Sequence, residues 1–270
     1  MIEDILDSLF PRLCPLCRAK LRDPDRGFCG PCFASFEFIR PPVCFQCGIP
    51  LRRDPDPSAP CCTSCLPPGP AHAPACSEVR SVALHTGPLR QAILAWKYGG
   101  RLALSSSLGW LLHHGYRSFF SGQRFDCIVP VPLHVRRLRE RGYNQCTLLA
   151  GPLAKRLGVR VDLTSVKKVR NTQPQSGGGR RRRRTNLHGA FAVVRPARFK
   201  ERCVLILDDV VTTGVTIQTL AGVLRAAGAR RVCAFTLTRS LESRGGTASS
   251  NTPRGEPSAG GNLDRMYPYH

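Results

Sequence analysis

The thirteen residues VLILDDVVTTGVT, from Val204 to Thr216, constrain this chain more than any other stretch. An unbroken apolar run suits a strand buried on both faces, as in a parallel sheet. Asp208 and Asp209 then fall at the strand's carboxyl end, where open parallel sheets place their ligand chemistry. TTGVT reads as the turn into a helix. Backbone N–H groups at a helix N-terminus make an anion site worth ~1 kcal/mol per favourable charge contact. Thr212, Thr213 and Thr216 add hydroxyl donors, and Gly214, next to Val215, lets a phosphate approach the backbone closely. A ribose 5-phosphate meets both demands, with its phosphate in the turn and its 2- and 3-hydroxyls on the Asp pair. No Lys is present for a G-x-x-x-x-G-K-[ST] loop, and no G-x-G-x-x-G stands here for a dinucleotide.

The segments around this stretch alternate between strand-like and helix-like patterns. EVRSVAL, DCIVPVP, SVKKVR, GAFAVV, RCVLILD and RRVCAFTLTR read as strands. PLRQAILAWKY, LALSSSLGWLLHHGYRSFF, GYNQCTLLAGPLAKRLG (with a kink at Pro152) and GVTIQTLAGVLRAAG read as helices. Such alternation predicts an α/β domain around a largely parallel sheet. The expected layout is an N-terminal helix and Cys-rich module over 1–66, a Pro-rich linker over 67–75, the α/β domain over 76–240 and a disordered tail over 241–270.

The Cys-rich module is the second strong constraint. Nine of the fourteen Cys lie between Cys14 and Cys65, in a segment with little apolar material. Four C-x-x-C pairs stand out: Cys14 and Cys17, Cys29 and Cys32, Cys44 and Cys47, Cys62 and Cys65. Eight thiolates suffice for two closed tetrahedral zinc sites of four cysteines each, and a closed shell makes the metal structural. Sequential pairing of the turns is preferred. Spacing does not exclude a cross-braced arrangement, and Cys61 competes with Cys62. An iron–sulfur cluster is the less favoured alternative. The remaining cysteines, Cys76, Cys127, Cys146, Cys203 and Cys233, read mostly as small core residues.

The net charge is +22, with Arg far in excess of Lys. Part of that excess is a drift of composition, and part points to a polyanionic partner. No apolar stretch is long enough to span a membrane. The start, MIEDILDSLF, lacks the basic region of an export signal, so the cytoplasm is the expected location. Only 7% of residues are aromatic, and no set of them is spaced as a stacking platform for single strands.

VLILDDVVTTGVT resembles the phosphoribosyl pyrophosphate (PRPP) signature of type I phosphoribosyltransferases. LFPRLCPLC, AWKYGG, VPVPLHVRRLRERGYNQ and RNTQPQSGGGRRRRRTNLHGAF, together with the Cys module, resemble the ComF family of competence-associated proteins. The resemblance implies a zinc ribbon, about two structural zinc ions and a Rossmann-like parallel sheet of the type I phosphoribosyltransferase class. It implies the carboxylates of Asp208 and Asp209 on ribose, and Mg2+ bridging ribose and pyrophosphate. It places a pyrophosphate loop at Val131, Pro132, Leu133 and His134, with Arg137 and Arg141. It makes Lys97 a ligand contact, and it puts Arg183 and Arg184 in a mobile loop over PRPP, where this chain is more Gly- and Arg-rich than its family's pattern. Two functions follow. One is phosphoribosyl transfer to an unassigned acceptor. The other is a non-catalytic role in DNA uptake, holding single-stranded DNA or a helicase partner.

Overall fold

The computed structural model describes residues 11–21, 27–51, 61–65, 74–171, 187 and 189–241. The expected N-terminal helix, the SGGGRRRRR loop with Arg183 and Arg184, and nearly all of the expected linker and tail lie outside them. In chain order the elements are α1 (Gly30–Ala34), β1 (Glu78–Leu84), α2 (Gly87–Tyr98), α3 (Leu104–Phe120), β2 (Cys127–Pro130), α4 (Val135–Arg141), α5 (Gln145–Leu157), β3 (Arg160–Val161), β4 (Val166–Lys168), β5 (Phe191–Val193), β6 (Cys203–Val211), α6 (Val215–Ala226) and β7 (Arg231–Arg239).

Five strands form one sheet in the order β1-β7-β6-β2-β3, every pair parallel. β6 is central, which explains its apolar run. Leu205 and Leu207 face one core with α2, α3 and α5, while Val204 and Ile206 face a second core with α6. β4 and β5 form a separate antiparallel pair, so these two expected strands do not join the parallel sheet. α5 runs through Pro152 without ending there. Sequence patterning did not resolve α4, because its VRRLRER has no buried face.

The Cys-rich module does not stand apart from the sheet. Phe28, Phe33 and Phe36 share one core with Trp96, Leu108 and Leu111, and the Phe33 ring lies 5.6 Å from that of Trp110. A segment so poor in apolar residues completes its core with the α/β unit's helices. It also covers the free edge of β1. Ile39 N–H donates to Val82 O at 2.9 Å, Leu84 N–H to Glu37 O at 2.8 Å, and Val79 N–H to Gln46 O at 2.8 Å. Covering an edge strand removes a template for association.

Gly48 makes the last of these approaches feasible. It has φ +72, and a Cβ placed there would come 2.2 Å from Val79 O. Gly48→Ala therefore combines a backbone clash with left-handed strain and is expected to cost about 2–4 kcal/mol. A fall in the urea midpoint at unchanged slope is the expected readout. A wild-type midpoint would mean that the knuckle does not press on β1.

Candidate ligand site and zinc centres

The site is built where β6 outruns β2. Pairing with β2 ends at Leu207, opposite Pro130, but pairing with β7 continues to Val211. The expectation that the strand stops at the Asp pair is thus corrected. Asp208 and Asp209 are still strand residues, and among the described residues no partner strand lies beside them on the β2 side. Thr212, Thr213 and Gly214 then make the turn. Gly214 has φ +76 and caps α6, whose first residue is Val215. Among the described residues the nearest atom to a Cβ on Gly214 would be Val211 Cγ2 at 3.9 Å. Thr212 is exposed; Thr213, Gly214 and Thr216 are half-buried.

The two carboxylates differ. Asp209 pairs with Lys97 Nζ at 2.7 Å, the two side chains being 11% and 15% exposed. Lys97 therefore does more than complement its helix's C-terminus: burial opposes its charge, and Asp209 overrides burial to raise its pKa. Asp208 Oδ1 accepts from Asp209 N–H at 2.9 Å and from the Cys146 thiol at 3.4 Å. Burial, then the neighbouring Asp209, push the Asp208 pKa up to about 7, against Lys97. A desolvated carboxyl beside a second one resists ionisation in this way.

The segment after β2 runs alongside. Val131 N–H is spent on Leu207 O at 2.9 Å, and Val131 O accepts from Asn144 Nδ2 at 3.0 Å. Pro132 has no N–H to offer. An anion here would meet the backbone donors of Leu133 and His134 rather than a run beginning at Val131. His134 Nδ1 accepts from Arg136 N–H at 3.3 Å and so caps α4, a structural task. Arg137 is half-buried on α4, and Arg141 lies 4.9 Å over the exposed ring of Tyr98.

Three residues that sequence patterning did not single out also arrive here. His85, at the end of β1, holds Thr238 Oγ1 with Nδ1 at 2.9 Å. Burial, then Lys97 and Arg90, lower its pKa against Asp209. Lys168 forms a bridge with His134; burial and Arg137 lower its pKa, against Asp208. Cys146 lies within 4.8 Å of both carboxylates, and its placement in an amphipathic helix looks like ordinary core. Only strand order and helix packing bring these residues to one edge. A Cys at the second position of a helix after Asn144, whose side chain caps it, was the available signal.

The zinc centres are geometrically plain. Cys14, Cys17, Cys29 and Cys32 form one sulfur cluster and Cys44, Cys47, Cys62 and Cys65 the other, each within 4.8 Å. Pairing is therefore sequential, and Cys62, not Cys61, completes the second set. Tetrahedral zinc with Zn–S of about 2.3 Å sets sulfurs about 3.8 Å apart. The Cys17–Cys29 and Cys47–Cys62 separations are 3.4 and 3.7 Å, so the donor sets fit.

Comparisons with known proteins agree with this architecture. A double zinc ribbon domain matches residues 5–66, and a phosphoribosyl transferase domain matches residues 144–248. The DNA utilization protein YhgH of Salmonella typhimurium is 36% identical over 86% of this chain and 98% of its own length. YhgH of Escherichia coli K12 is 34% identical over 86% of this chain and 98% of its own length. Competence protein F of Haemophilus influenzae is 29% identical over 86% of this chain and 99% of its own length. The adenine phosphoribosyltransferase of Saccharomyces cerevisiae superposes with TM-score 0.35 at 18% identity over 53% of this chain and 72% of that one, too distant to bear on the site. Among the described residues, no helix is long and apolar enough to cross a membrane.

Proposed function

The chain belongs to the ComF family of double-zinc-ribbon phosphoribosyltransferase-domain proteins, and from that premise we propose that it binds PRPP with Mg2+ at the carboxyl edge of the parallel sheet. The observation that carries the reading is the meeting of Asp208 and Asp209, at the end of β6, with a turn through the left-handed Gly214 at the N-terminus of α6. The turn's N–H groups, with the hydroxyls of Thr212, Thr213 and Thr216, take the 5-phosphate. The two carboxylates take the 2- and 3-hydroxyls. Lys97, held at 2.7 Å from Asp209, fixes that carboxylate's position before the sugar arrives. The N–H groups of Leu133 and His134, with Arg137 and Arg141, receive pyrophosphate; forked, charge-assisted bonds suit Arg to that task. Arg183 and Arg184 belong to the same proposal but lie outside the described residues. Mg2+ supplies charge for the pyrophosphate and needs no dedicated protein cage, since substrate phosphates complete its shell. Should pentosyl transfer follow, the residues' part is electrostatic: cations on the departing pyrophosphate and carboxylates beside an oxocarbenium-like ribose. Two thiolate shells fit a cytoplasmic, reducing location, and the names of the relatives, DNA utilization protein and competence protein F, support a role in DNA use or competence.

Calorimetric titration of Mg·PRPP into the zinc-loaded protein tests this. Saturable heat is expected, and its absence ends the proposal. A pH effect follows from Asp208, whose carboxyl faces Asp209, Lys97, Cys146 and Lys168. With a midpoint near 7 it is mostly protonated below that pH, and ribose binding favours the charged form, so binding releases a proton at low pH. Affinity therefore rises with pH, about ten-fold between pH 6 and 8. Aspartate 13C NMR of the ligand-free protein checks the premise. A carboxyl with midpoint near 7 is expected, absent in Asp208→Asn; an ordinary midpoint near 4 contradicts it.

A second reading has its own observation. Tyr98 is 70% exposed, stacks on Arg141, and adjoins α4 with Arg136, Arg137 and Arg139. Tyr98 is a single ring rather than a spaced set, and it suits an unpaired base of single-stranded DNA. Affinity for a single-stranded oligonucleotide falling steeply with salt, and weakened in Tyr98→Ala, is expected; a flat salt response contradicts it.

A further inference from the structure

Arginines outside the ribbons grip the knuckles that carry the zinc ligands. Arg101 donates to Pro15 O at 2.8 Å in the first C-x-x-C turn, and Arg80 donates to Phe45 O at 2.8 Å in the third. Arg239 differs from both. It is the last residue of β7, only 6% exposed, and its Nη2 donates to Cys47 O. Its Nε is buried with no hydrogen-bond partner. Among the described residues no carboxylate pairs with it. Through the Cys47 carbonyl the guanidinium lies against the second cluster, Cys44, Cys47, Cys62 and Cys65. A guanidinium stays charged inside a protein, so its burial requires a counter-charge. Four neutral thiols do not supply one. Four thiolates around Zn2+ carry a formal charge of about −2 and do.

The same residue fixes the end of the ligand site through its backbone. Arg239 stands opposite Val211 in the sheet, and its carbonyl accepts from His85 N–H at 2.7 Å. The next residue, Ser240, donates N–H to Val211 O at 2.9 Å. Val211 is the residue from which the Thr212–Gly214 turn departs. We propose that Arg239 is the counter-ion of the second zinc centre and at the same time a positioning residue for that turn, so that metal in the ribbon and order at the phosphate-binding edge are thermodynamically linked. Zinc loss converts the dianionic centre into neutral thiols and leaves the buried guanidinium without its partner. The side chain then seeks water and draws the β7 end, with the Val211 register, out of place. The arginine that grips the first ribbon differs: Arg101 is exposed and lies on a loop. The coupling to PRPP rests on the function proposed above; the coupling to the turn's order does not.

The test uses the full-length, zinc-loaded protein and the variants Arg239→Gln and Arg239→Lys. Zinc transfer to excess chelator is followed with a metallochromic indicator, and hydrogen exchange is read over residues 211–216. In Arg239→Gln one of the two ions is expected to leave about ten-fold or more faster, as when an outer-shell partner is lost, while the other keeps its rate. Exchange over 211–216 rises in parallel. Arg239→Lys, which keeps the charge without the fork, falls between Gln and the native protein. Mg·PRPP affinity drops with the faster exchange. Unchanged zinc release, or unchanged exchange at 211–216, overturns the proposal. If Arg239→Gln does not fold, Arg239→Lys decides: faster release of one ion together with raised exchange at 211–216 is expected if the two sites are linked, and native behaviour in both overturns the link. Native protein that shows the zinc and exchange effects but gives no heat with Mg·PRPP removes the function proposed above and leaves this linkage standing.

Discussion

Asp208→Asn is expected to weaken Mg·PRPP binding about 10–100-fold while leaving the fold as stable as the native protein. The two halves of that expectation have separate causes. Replacing a carboxylate that accepts hydroxyl hydrogen bonds removes a charge-assisted pair worth about 1.5–3 kcal/mol, which is about 10–100-fold in affinity. Stability is spared because the ligand-free carboxyl, with its pKa pushed to about 7, already spends about half its time protonated at neutral pH, when an amide is close to it in shape and charge. Asp209→Asn should differ. It removes the same kind of ribose contact, but it also strands Lys97, whose amine has Asp209 at 2.7 Å. Breaking a pair that retains 11–15% exposure costs less than breaking a fully buried one; about 2 kcal/mol is expected. Calorimetry and thermal melts on the two variants separate these effects. Equal melting temperatures in the two would show that Lys97 does not depend on Asp209, and native-like affinity in both would remove the carboxylates from the site.

Removal of zinc should have the larger effect on the protein as a whole. Structural zinc in a shell of four cysteine thiolates contributes roughly 10–16 kcal/mol of folding free energy. Among the described residues between Cys14 and Cys65, few are buried apart from Phe28, Phe33, Phe36, Ile39 and two of the cysteines themselves. The ribbons are therefore expected to unfold on chelation. The damage does not stop there, because the ribbon's backbone covers the edge of β1 through Ile39, Glu37 and Gln46, and its Phe side chains complete the core around Trp96 and Leu108. Chelated protein, or Cys44→Ser, should bind an apolar dye, aggregate on warming and lose its cooperative melt. Elemental analysis of the native protein should give two zinc ions per chain. One ion would break the second cluster's assignment, and a chelated protein that melts as before would show that the sheet needs no cover on β1.

The basic character of the chain divides more clearly in the structure than in its composition. Arg80, Arg101 and Arg239 hold ribbon carbonyls, and Arg202 pairs with Asp126 at 3.1 Å. Those charges have internal partners. The arginines of α4 form another group: among the described residues only Arg136 pairs with a carboxylate, that of Glu140 at 3.1 Å on the same exposed helix. The anion-facing surface is thus narrower than a net charge of +22 suggests.

What this sequence determined by itself were the features encoded in contiguous residues. A C-x-x-C turn aims two sulfurs at one point whatever surrounds it. An apolar run followed by two Asp, hydroxyls and Gly specifies strand, sheet edge and the turn into a helix within thirteen residues, since each step depends on neighbours a few bonds away. Tertiary structure alone decided what those local pieces meet. Strand order carried β6 past the end of β2, brought His85 and Lys168 toward the Asp pair, and turned Cys146 from a core residue into a neighbour of Asp208. It also packed the ribbons onto β1 and set Arg239 against the second sulfur cluster. Those outcomes depend on which apolar faces bury one another across the whole chain, a long-range balance that no short window of sequence contains.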